Sequence, residues 1–298
     1  MISVCDIPQR GKQVTDPAGT KHGPAPGRRS ERARIECDMA GLLVGLIAGS
    51  LGGLVGIGGG VIIVPLMTEM LKFRQQEAHG TSLVAVVFTG VAGSVIYYLH
   101  GSVDVAAAAV LSFTALCTVR RGAKYCCFLP EVNLKRYFGL FLLVIAFLLV
   151  LKPILPPDMD VSLPTWMRWT VLVLLGALTG FLSGMMGVGG GSFMVPMMVV
   201  FAGISQQTAQ GISLLAMIPA STIGAWTHWK MGNILLRHLP GLVVGVLVGV
   251  ALGGSFANRI PERELSLLFT ALLCYTALRY VRVKPGRDPV CVLKEGQE

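Results

Sequence analysis

The chain has 298 residues, of which 53% are hydrophobic and only 14% are charged, and its mean hydropathy is +0.67. Soluble domains are roughly a quarter charged, so this composition excludes a soluble enzyme, a disordered chain and a disulfide-stapled scaffold. The net charge of +9 comes from Lys and Arg in the tails and in short loops between apolar stretches, as the positive-inside rule describes. We therefore expect a polytopic membrane protein without a nucleic-acid partner.

Residues 1–38 are polar, carry both signs of charge and contain scattered Pro and Gly, which predicts a disordered tail. No apolar signal-peptide core follows the start of the chain. The apolar sequence begins abruptly at Met39. Two interpretations stay open: a genuine cytosolic tail, or a misplaced start with Met39 as the initiator.

Ten apolar stretches follow, five on each side of a Pro-rich connector. They are 39–55, 61–71, 80–99, 103–119, 137–151, 169–186, 193–202, 212–226, 240–257 and 265–281. This segmentation predicts an all-α membrane protein with a first repeat at 39–151, a linker at 152–168, a second repeat at 169–281 and a basic cytosolic tail at 282–298.

The two halves of the chain align without a gap at a shift of 131 residues. The shift lays Gly49, Gly53, Gly56, Gly58, Gly59 and Gly60 on Gly180, Gly184, Gly187, Gly189, Gly190 and Gly191. The register holds over about 90 positions, which indicates an internal duplication, the usual construction of secondary transporters. Two residues related by this shift are called counterparts below.

The positions of Lys and Arg predict how the stretches cross the membrane. If the pairs 39–71 and 169–202 each enter and return on one side, the inside segments hold 18 basic residues and the outside segments four. If each pair is a single span, the division is about 13 to 9. The first arrangement predicts cytosolic termini, three full spans per half, and halves that are inverted relative to each other. Charge leaves open whether the paired segments are re-entrant or cross fully.

Each half carries a glycine motif, GIGGG at 56–60 and GVGGG at 187–191. Successive glycines tolerate positive φ angles, so we expect a helix break at each motif. The apolar run after each break has about 10 residues, which is too short to span a bilayer alone. A helix that starts at such a break presents free N–H groups and a positive dipole end, and these favour a small anion. The predicted substrate-binding glycines are Gly58, Gly59, Gly60, Gly189, Gly190 and Gly191.

Polar side chains close to the breaks are the other candidate ligands. Thr81, Ser82 and Ser213 either cap or back-bond to their helices or donate hydroxyl groups to an oxyanion. Gln210 and its counterpart His79 are candidate neutral donors, and Ser192 could cap its half-helix or contact the ligand. His100 and His228 lie at span ends, where interfacial placement and a proton relay both stay open.

The order and spacing of these motifs resemble the TauE/SafE sulfite-exporter family. The resemblance rests on the doubled glycine motif, GTSL at 80–83, GISL at 211–214, HGSVD at 100–104, MGNI at 231–234 and RIPER at 259–263. It covers residues 40–281. It implies a membrane permease for sulfite, a sulfonate or a related small anion.

The first half departs from the pattern of the second in one segment. Where the second half has a stripe of glycines at 241, 245, 249 and 253, the first has Val110, Thr114, Thr118 and Gly122. Basic residues also occupy 120, 121 and 124, which is costly within a span. Either the helix ends near Val119 and a longer cytosolic loop follows, or compensating frameshifts scramble about 15 residues before the register returns at Pro130.

We therefore predict an inner (plasma) membrane permease that moves a small sulfur-containing anion by alternating access. The alternatives are a transporter of another small solute and an accessory membrane protein without transport activity. The sequence lacks G-x-S-x-G, H-E-x-x-H and paired intramembrane carboxylates, so we expect no enzyme and no catalytic residue. No metal or other cofactor is expected. The expected partners are a small anionic substrate and the lipid bilayer, with a homo-oligomer left open.

Overall fold

The computed structural model describes residues 28–70, 73, 75–126, 131–151, 164–186, 190–236 and 238–282. The first half forms α1 (Arg28–Val55), α2 (Gly60–Met70), α3 (Gln75–Leu99), α4 (Val105–Cys126) and α5 (Glu131–Leu151). The second half forms α6 (Thr165–Met186), α7 (Gly191–Phe201), α8 (Gln206–Lys230), α9 (Leu239–Ala257) and α10 (Glu262–Val281). Each predicted apolar stretch lies largely within one of these helices, which confirms an all-helical polytopic membrane protein.

Four helices of the described chain are long and apolar enough to cross a membrane, through the segments Asp38–Val55, Gln76–Leu99, Trp166–Ser183 and Leu239–Ala257. The apolar parts of α4, α5 and α7 are shorter, at Val105–Val119, Gly139–Leu151 and Gly191–Phe201. Basic residues shorten the apolar parts of α4 and α5, since each helix carries two or more Lys or Arg residues at its charged end. The prediction of three full spans per half is therefore met only in part by length and composition.

Three helix boundaries differ from the sequence-based ones. Helix α1 begins at Arg28, so the end of the segment expected to be disordered is helical, whereas 1–27 lie outside the described residues. Helix α4 continues past Val119 to Cys126. Helix α6 begins at Thr165, inside the expected linker. In each case Arg, Lys, Glu or Ala side chains extend the helix beyond its apolar part, because they favour helix wherever water can solvate them.

Helices α1 and α2 form a hairpin. After α1 ends at Val55, the chain turns through 56–59 and returns against α1, where a Cβ on Gly52 would lie 2.6 Å from the Gly59 nitrogen. Val44 and Ala48 of α1 pack in the same apolar cluster as Ile63 and Met67 of α2. The break therefore folds the short α2 back along α1, as the paired stretches predicted; α6 and α7 also contact each other.

Helix α1 packs on α9 through glycines on both helices. A Cβ on Gly49 would lie 2.6 Å from the Val246 carbonyl oxygen, and a Cβ on Gly249 would lie 2.5 Å from that of Leu46. The α4–α6 contact is the counterpart, and there α6 supplies glycines, with Gly180 against Ala115. Small residues thus let the helix backbones touch in both pairs, as small-xxx-small patterns do in membranes.

Helices α3 and α8 are counterparts, and they contact each other in opposite directions. Gly80, near the start of α3, lies against Asn233 just after α8, and Gly211, near the start of α8, lies against Ser102 just after α3. Both contacts join a glycine to the same position of the other half, because Asn233 is the counterpart of Ser102.

The core of the described chain consists of two main apolar clusters that do not follow the sequence halves. One is formed by α1, α2, α3 and α9, with Ala48, Ile63 and Val246 fully buried. The larger one draws on α4, α5, α6, α7, α8 and α10, with Leu111 and Phe193 fully buried. The first half therefore contributes α4 and α5 to the cluster around the hairpin of the second half, and the second half contributes α9 to the cluster around the hairpin of the first.

Candidate functional site

The first glycine motif adopts a backbone that only glycine accommodates readily. Gly56, Gly58 and Gly59 have φ angles of 72°, 80° and 74°. The Gly59 carbonyl then accepts hydrogen bonds from the Ile62 nitrogen at 2.9 Å and the Ile63 nitrogen at 2.8 Å, which starts α2. The N–H groups of the first turn of a helix have no partner within that helix, so the start of α2 at Gly60 offers free donors.

Helix α7 starts in the same way in the second half. The Gly190 carbonyl accepts hydrogen bonds from the nitrogens of Phe193 at 3.2 Å and Met194 at 3.0 Å, which are counterparts of the residues that start α2. No side chain caps α7, and Gly191 and Ser192 in its first turn are buried. Gly189, also a predicted ligand, lies outside the described residues.

The two breaks contact each other. A Cβ on Gly191 would lie 2.9 Å from both the Cα and the carbonyl oxygen of Ile57, and 2.6 Å from Cε of Met217. The Met217 sulfur is also the nearest atom to a Cβ on Gly58. The first turn of α7 therefore touches the first glycine motif, and the Met217 side chain lies between the two.

A buried polar cluster surrounds Gly56. Ser213 donates a hydrogen bond through Oγ to the Gly56 carbonyl at 3.1 Å, and Gln210 packs its aliphatic part on Gly56. Tyr97 Oη lies 2.9 Å from the Gly53 carbonyl oxygen and 2.8 Å from Gln210 Oε1. Side chains of α3 and α8 thus converge on the end of α1. Gln210 and Tyr97 meet there although they are more than 100 residues apart in the chain.

Gln210 keeps a donor without a partner. Its side chain is fully buried, and no hydrogen-bond partner lies near Nε2 in the described part of the chain. The Tyr97 hydroxyl has one proton, which it can donate to only one of its two oxygen neighbours, and turning the amide over still leaves one Gln210 N–H free. An unpaired buried donor is costly, so Gln210 is prepared for an acceptor beside the first break.

The other predicted polar ligands are used differently. Ser82 donates a back-bond to the His79 carbonyl at 2.9 Å, and Thr81 Oγ1 accepts a hydrogen bond from the Leu235 nitrogen at 3.1 Å. The Ser82 bond is the back-bonding role that was left open, whereas Thr81 contacts the segment before α9 instead of its own helix. The described contacts of these two residues do not include the first break.

Sequence reasoning missed Tyr97 and Met217. Both lie on the faces where α3 and α8 meet, and neither an aromatic nor a methionine in an apolar helix is unusual. A comparison of counterparts could have found Tyr97, because the shift pairs it with a polar residue, His228. Met217 has Val86 as its counterpart, so no sequence signal marked it.

The electrostatics of the breaks come from the backbone. The atoms nearest to a Cβ on Gly58, Gly59 or Gly191 belong to the backbone and to apolar side chains. In the described residues, no group of three or more His, Cys, Asp or Glu side chains is placed to hold a metal ion. The free N–H groups and dipole ends of α2 and α7, with the Gln210 amide, are therefore the donors available to a ligand.

Comparisons with known proteins agree on one family. A family model described as "Sulfite exporter TauE/SafE" matches residues 41–280. YunE of Bacillus subtilis, described as a probable membrane transporter protein, is 26% identical over 78% of this chain and 93% of its own length.

Two further relatives carry the same description. YdhB of Bacillus subtilis is 27% identical over 74% of this chain and 91% of its own length, and MJ0441 of Methanocaldococcus jannaschii is 25% identical over 78% and 91%. No solved structure matches the chain. Because the family model covers about four fifths of the chain, the chain belongs to the TauE/SafE family of sulfite exporters, a family of membrane transporters.

Proposed function

We propose that this protein is a permease that moves a small sulfur-containing anion, such as sulfite or a sulfonate, by alternating access. The contact between the two glycine breaks carries the proposal. Two helix starts, each with free N–H groups, meet there beside the unpaired amide of the buried Gln210. That arrangement suits a compact oxyanion, because it supplies several donors and positive dipole ends without a fixed cation that would hold the anion too tightly.

Each half supplies one part of the binding site in this proposal. The first part consists of Gly58, Gly59 and Gly60 with Gln210 and Ser213. The second consists of Gly189, Gly190, Gly191 and Ser192. We assign Thr81 and Ser82 to this second part as well, because Ser82 is the counterpart of Ser213. The hydroxyl groups of Ser82 and Ser213 bond to the backbone in this conformation, so they would turn toward the anion only when the site opens.

Inverted repeats are the structural basis of the proposed alternating access. The antiparallel contact of α3 with its own counterpart α8 supports inversion, because repeats related by an axis along the membrane normal would run parallel. The two apolar clusters are the bodies that would rock against each other across the α3–α8 contact. Since Met217 fills the space between the breaks, the anion enters only when these bodies separate and the thioether turns away.

The proposed topology places both termini in the cytosol and the protein in the inner (plasma) membrane. Hydrogen bonds between connecting segments support it. Ser102 bonds to Asn258 and Gln206 to Glu262, all at the end that the charge rule places outside, and Thr81 bonds to Leu235 at the inside end. With each hairpin counted as one span, Ser102 and Asn258 would lie on opposite sides of the membrane.

Cysteine labelling tests the inversion. We expect His100→Cys to react with a membrane-impermeant maleimide in intact cells, and Met231→Cys to react only after permeabilisation, in a background without native cysteines. The two positions are counterparts, and both side chains are exposed, so their intrinsic reactivity is matched. Labelling of both from the same side would contradict inverted repeats.

Ligand stabilisation tests the substrate class. We expect sulfite, thiosulfate or taurine to raise the thermal midpoint of the purified protein, whereas ammonium chloride at equal ionic strength leaves it unchanged. A ligand at 100 times its Kd stabilises the native state by about 2.7 kcal/mol. Equal effects of all salts would favour an accessory protein, and a response to the amine alone would favour a carrier of another solute.

A further inference from the structure

The counterpart of the polar pair Tyr97 and Gln210 is a pair of histidines. Tyr97 Cβ lies 3.1 Å from the position of a Cβ on Gly211, and His228 Cβ lies 3.1 Å from the equivalent position on Gly80. Gln210 and His79 precede these two glycines. The fold therefore uses the same backbone contact twice, with Tyr and Gln at one end of the α3–α8 contact and with His and His at the other.

The two ends differ in whether their polar side chains change charge near neutral pH. A phenol and an amide keep their protons near neutral pH, whereas imidazole changes charge between roughly pH 5 and 8. Of the two counterpart pairs, only the histidine pair can therefore gain a positive charge when the pH changes. In the proposed topology this pair lies at the cytosolic end of the α3–α8 contact.

His228 is placed to accept a proton. Its Nδ1 is buried without a hydrogen-bond partner in the described part of the chain. It follows the apolar part of α8, 212–226, and burial there lowers the pKa of its imidazole below the ordinary value. The neutral form is thus favoured in this conformation, and a negative charge brought close to the ring would favour the charged form.

Acidic, basic and histidine side chains all lie at the His228 end of the α3–α8 contact. On the elements at this end, the described ones are Asp38 on α1, Glu77 and His79 on α3, Arg121 on α4, Arg136 on α5, Lys230 on α8, His238 before α9 and Arg282 after α10. Helix α7 has none, and Glu262 of α10 binds the opposite end of α8. Arg74 and Arg237 lie outside the described residues.

We propose that His228 is the proton-binding site of this transporter and takes up a proton at Nδ1 together with the anion when the site faces the cytosol. The inference rests on the proposed function and adds the coupling ion to it. Anion and proton stabilise each other's binding, by the same factor in both directions. One proton per singly charged anion makes the transported pair neutral, so a pH gradient drives the anion.

Uptake of radiolabelled sulfite into proteoliposomes tests the coupling. For one proton per anion, a gradient of one pH unit raises the accumulation of sulfite by wild type about tenfold. We expect His228→Tyr, which installs the counterpart residue, to lose this response, and we expect His228→Gln to do the same. Protonation of sulfite itself is common to all variants and cancels in the comparison, and protein-free liposomes give the passive leak.

His100→Gln is the matched control, because its ring is exposed at the other end and bonds to the Ile96 carbonyl of its own helix. It should respond to the gradient as wild type does. A lumenal pH dye should also report proton entry with sulfite in wild type and not in His228→Tyr. The inference would be overturned, with the proposed function intact, if both His228 variants fold and still respond to the pH gradient. It would also be overturned if wild type transports sulfite without responding to the gradient. No uptake by wild type would overturn the proposed function and the inference together.

Discussion

Gly191→Ala is expected to lower the initial rate of sulfite uptake by about tenfold or more, without preventing membrane insertion. The new Cβ would lie 2.9 Å from the Ile57 backbone and 2.6 Å from Met217 Cε. Met217 can turn away, but the backbone of the first break cannot move without separating the two helix starts. Overpacking of this kind costs about 1–3 kcal/mol, and about 1.4 kcal/mol is a tenfold change in an equilibrium.

Gly190→Ala is the matched control for this prediction, because Gly190 contributes only backbone groups to the proposed site and alanine keeps them. Its φ angle of −74° suits any residue, and a Cβ there has its nearest neighbours at 3.8 Å. We expect near wild-type uptake from it, measured in proteoliposomes at equal protein content. Equal loss in the two variants, or no loss in either, would contradict the close approach of the breaks as the basis of transport.

Gly253→Ala is expected to lower the thermal stability of the purified protein, with a cost of about 1–3 kcal/mol from overpacking. A Cβ on Gly253 would lie 2.8 Å from the Ser50 carbonyl carbon and 3.0 Å from its Cα, so the α1 and α9 backbones would have to move apart. The measurement is the thermal midpoint in detergent, read from the monodisperse fraction that survives heating.

Gly254→Ala replaces the next glycine of α9 and is the matched control. It separates the effect of backbone packing on stability from the effect of helix propensity. Both substitutions gain the same propensity, about 1 kcal/mol in a helix interior. A Cβ on Gly254, however, meets only side-chain atoms, with Ile96 Cγ2 at 3.4 Å. We expect this variant to be at least as stable as wild type. A Gly253→Ala protein as stable as Gly254→Ala would show that the close α1–α9 contact contributes little.

Much of the fold could be predicted from the sequence, because long apolar stretches mark the membrane helices. The ten apolar stretches correspond to the ten helices described, and the glycine motif at 56–60 corresponds to the turn of the α1–α2 hairpin. The helix ends were less accurate. Outside the apolar core, α1 and α4 continue because water solvates their basic residues at no cost, and apolar patterning carries no information on where such a helix stops.

The candidate site could be predicted in part: the glycines of the breaks and the Gln210 amide were named from the sequence, and Tyr97 and Met217 were not. Glycines that break a helix have a local signature, and so Gly58, Gly59 and Gly191 could be named in advance. The roles of Tyr97, Gln210 and Met217 depend on which faces α3 and α8 turn toward each other, and that is decided by packing between residues far apart in the chain. Thr81 and Ser82 show the converse, since their hydroxyl groups serve the backbone in the conformation described.

The most direct test of the account is the uptake of radiolabelled sulfite by proteoliposomes that contain the full-length protein. An anion permease would give saturable uptake above that of protein-free liposomes, reduced by unlabelled sulfite and unaffected by an amine. If the protein is inserted and monodisperse yet none of the sulfur-containing anions enters faster than into protein-free liposomes, the assignment of an anion permease is wrong.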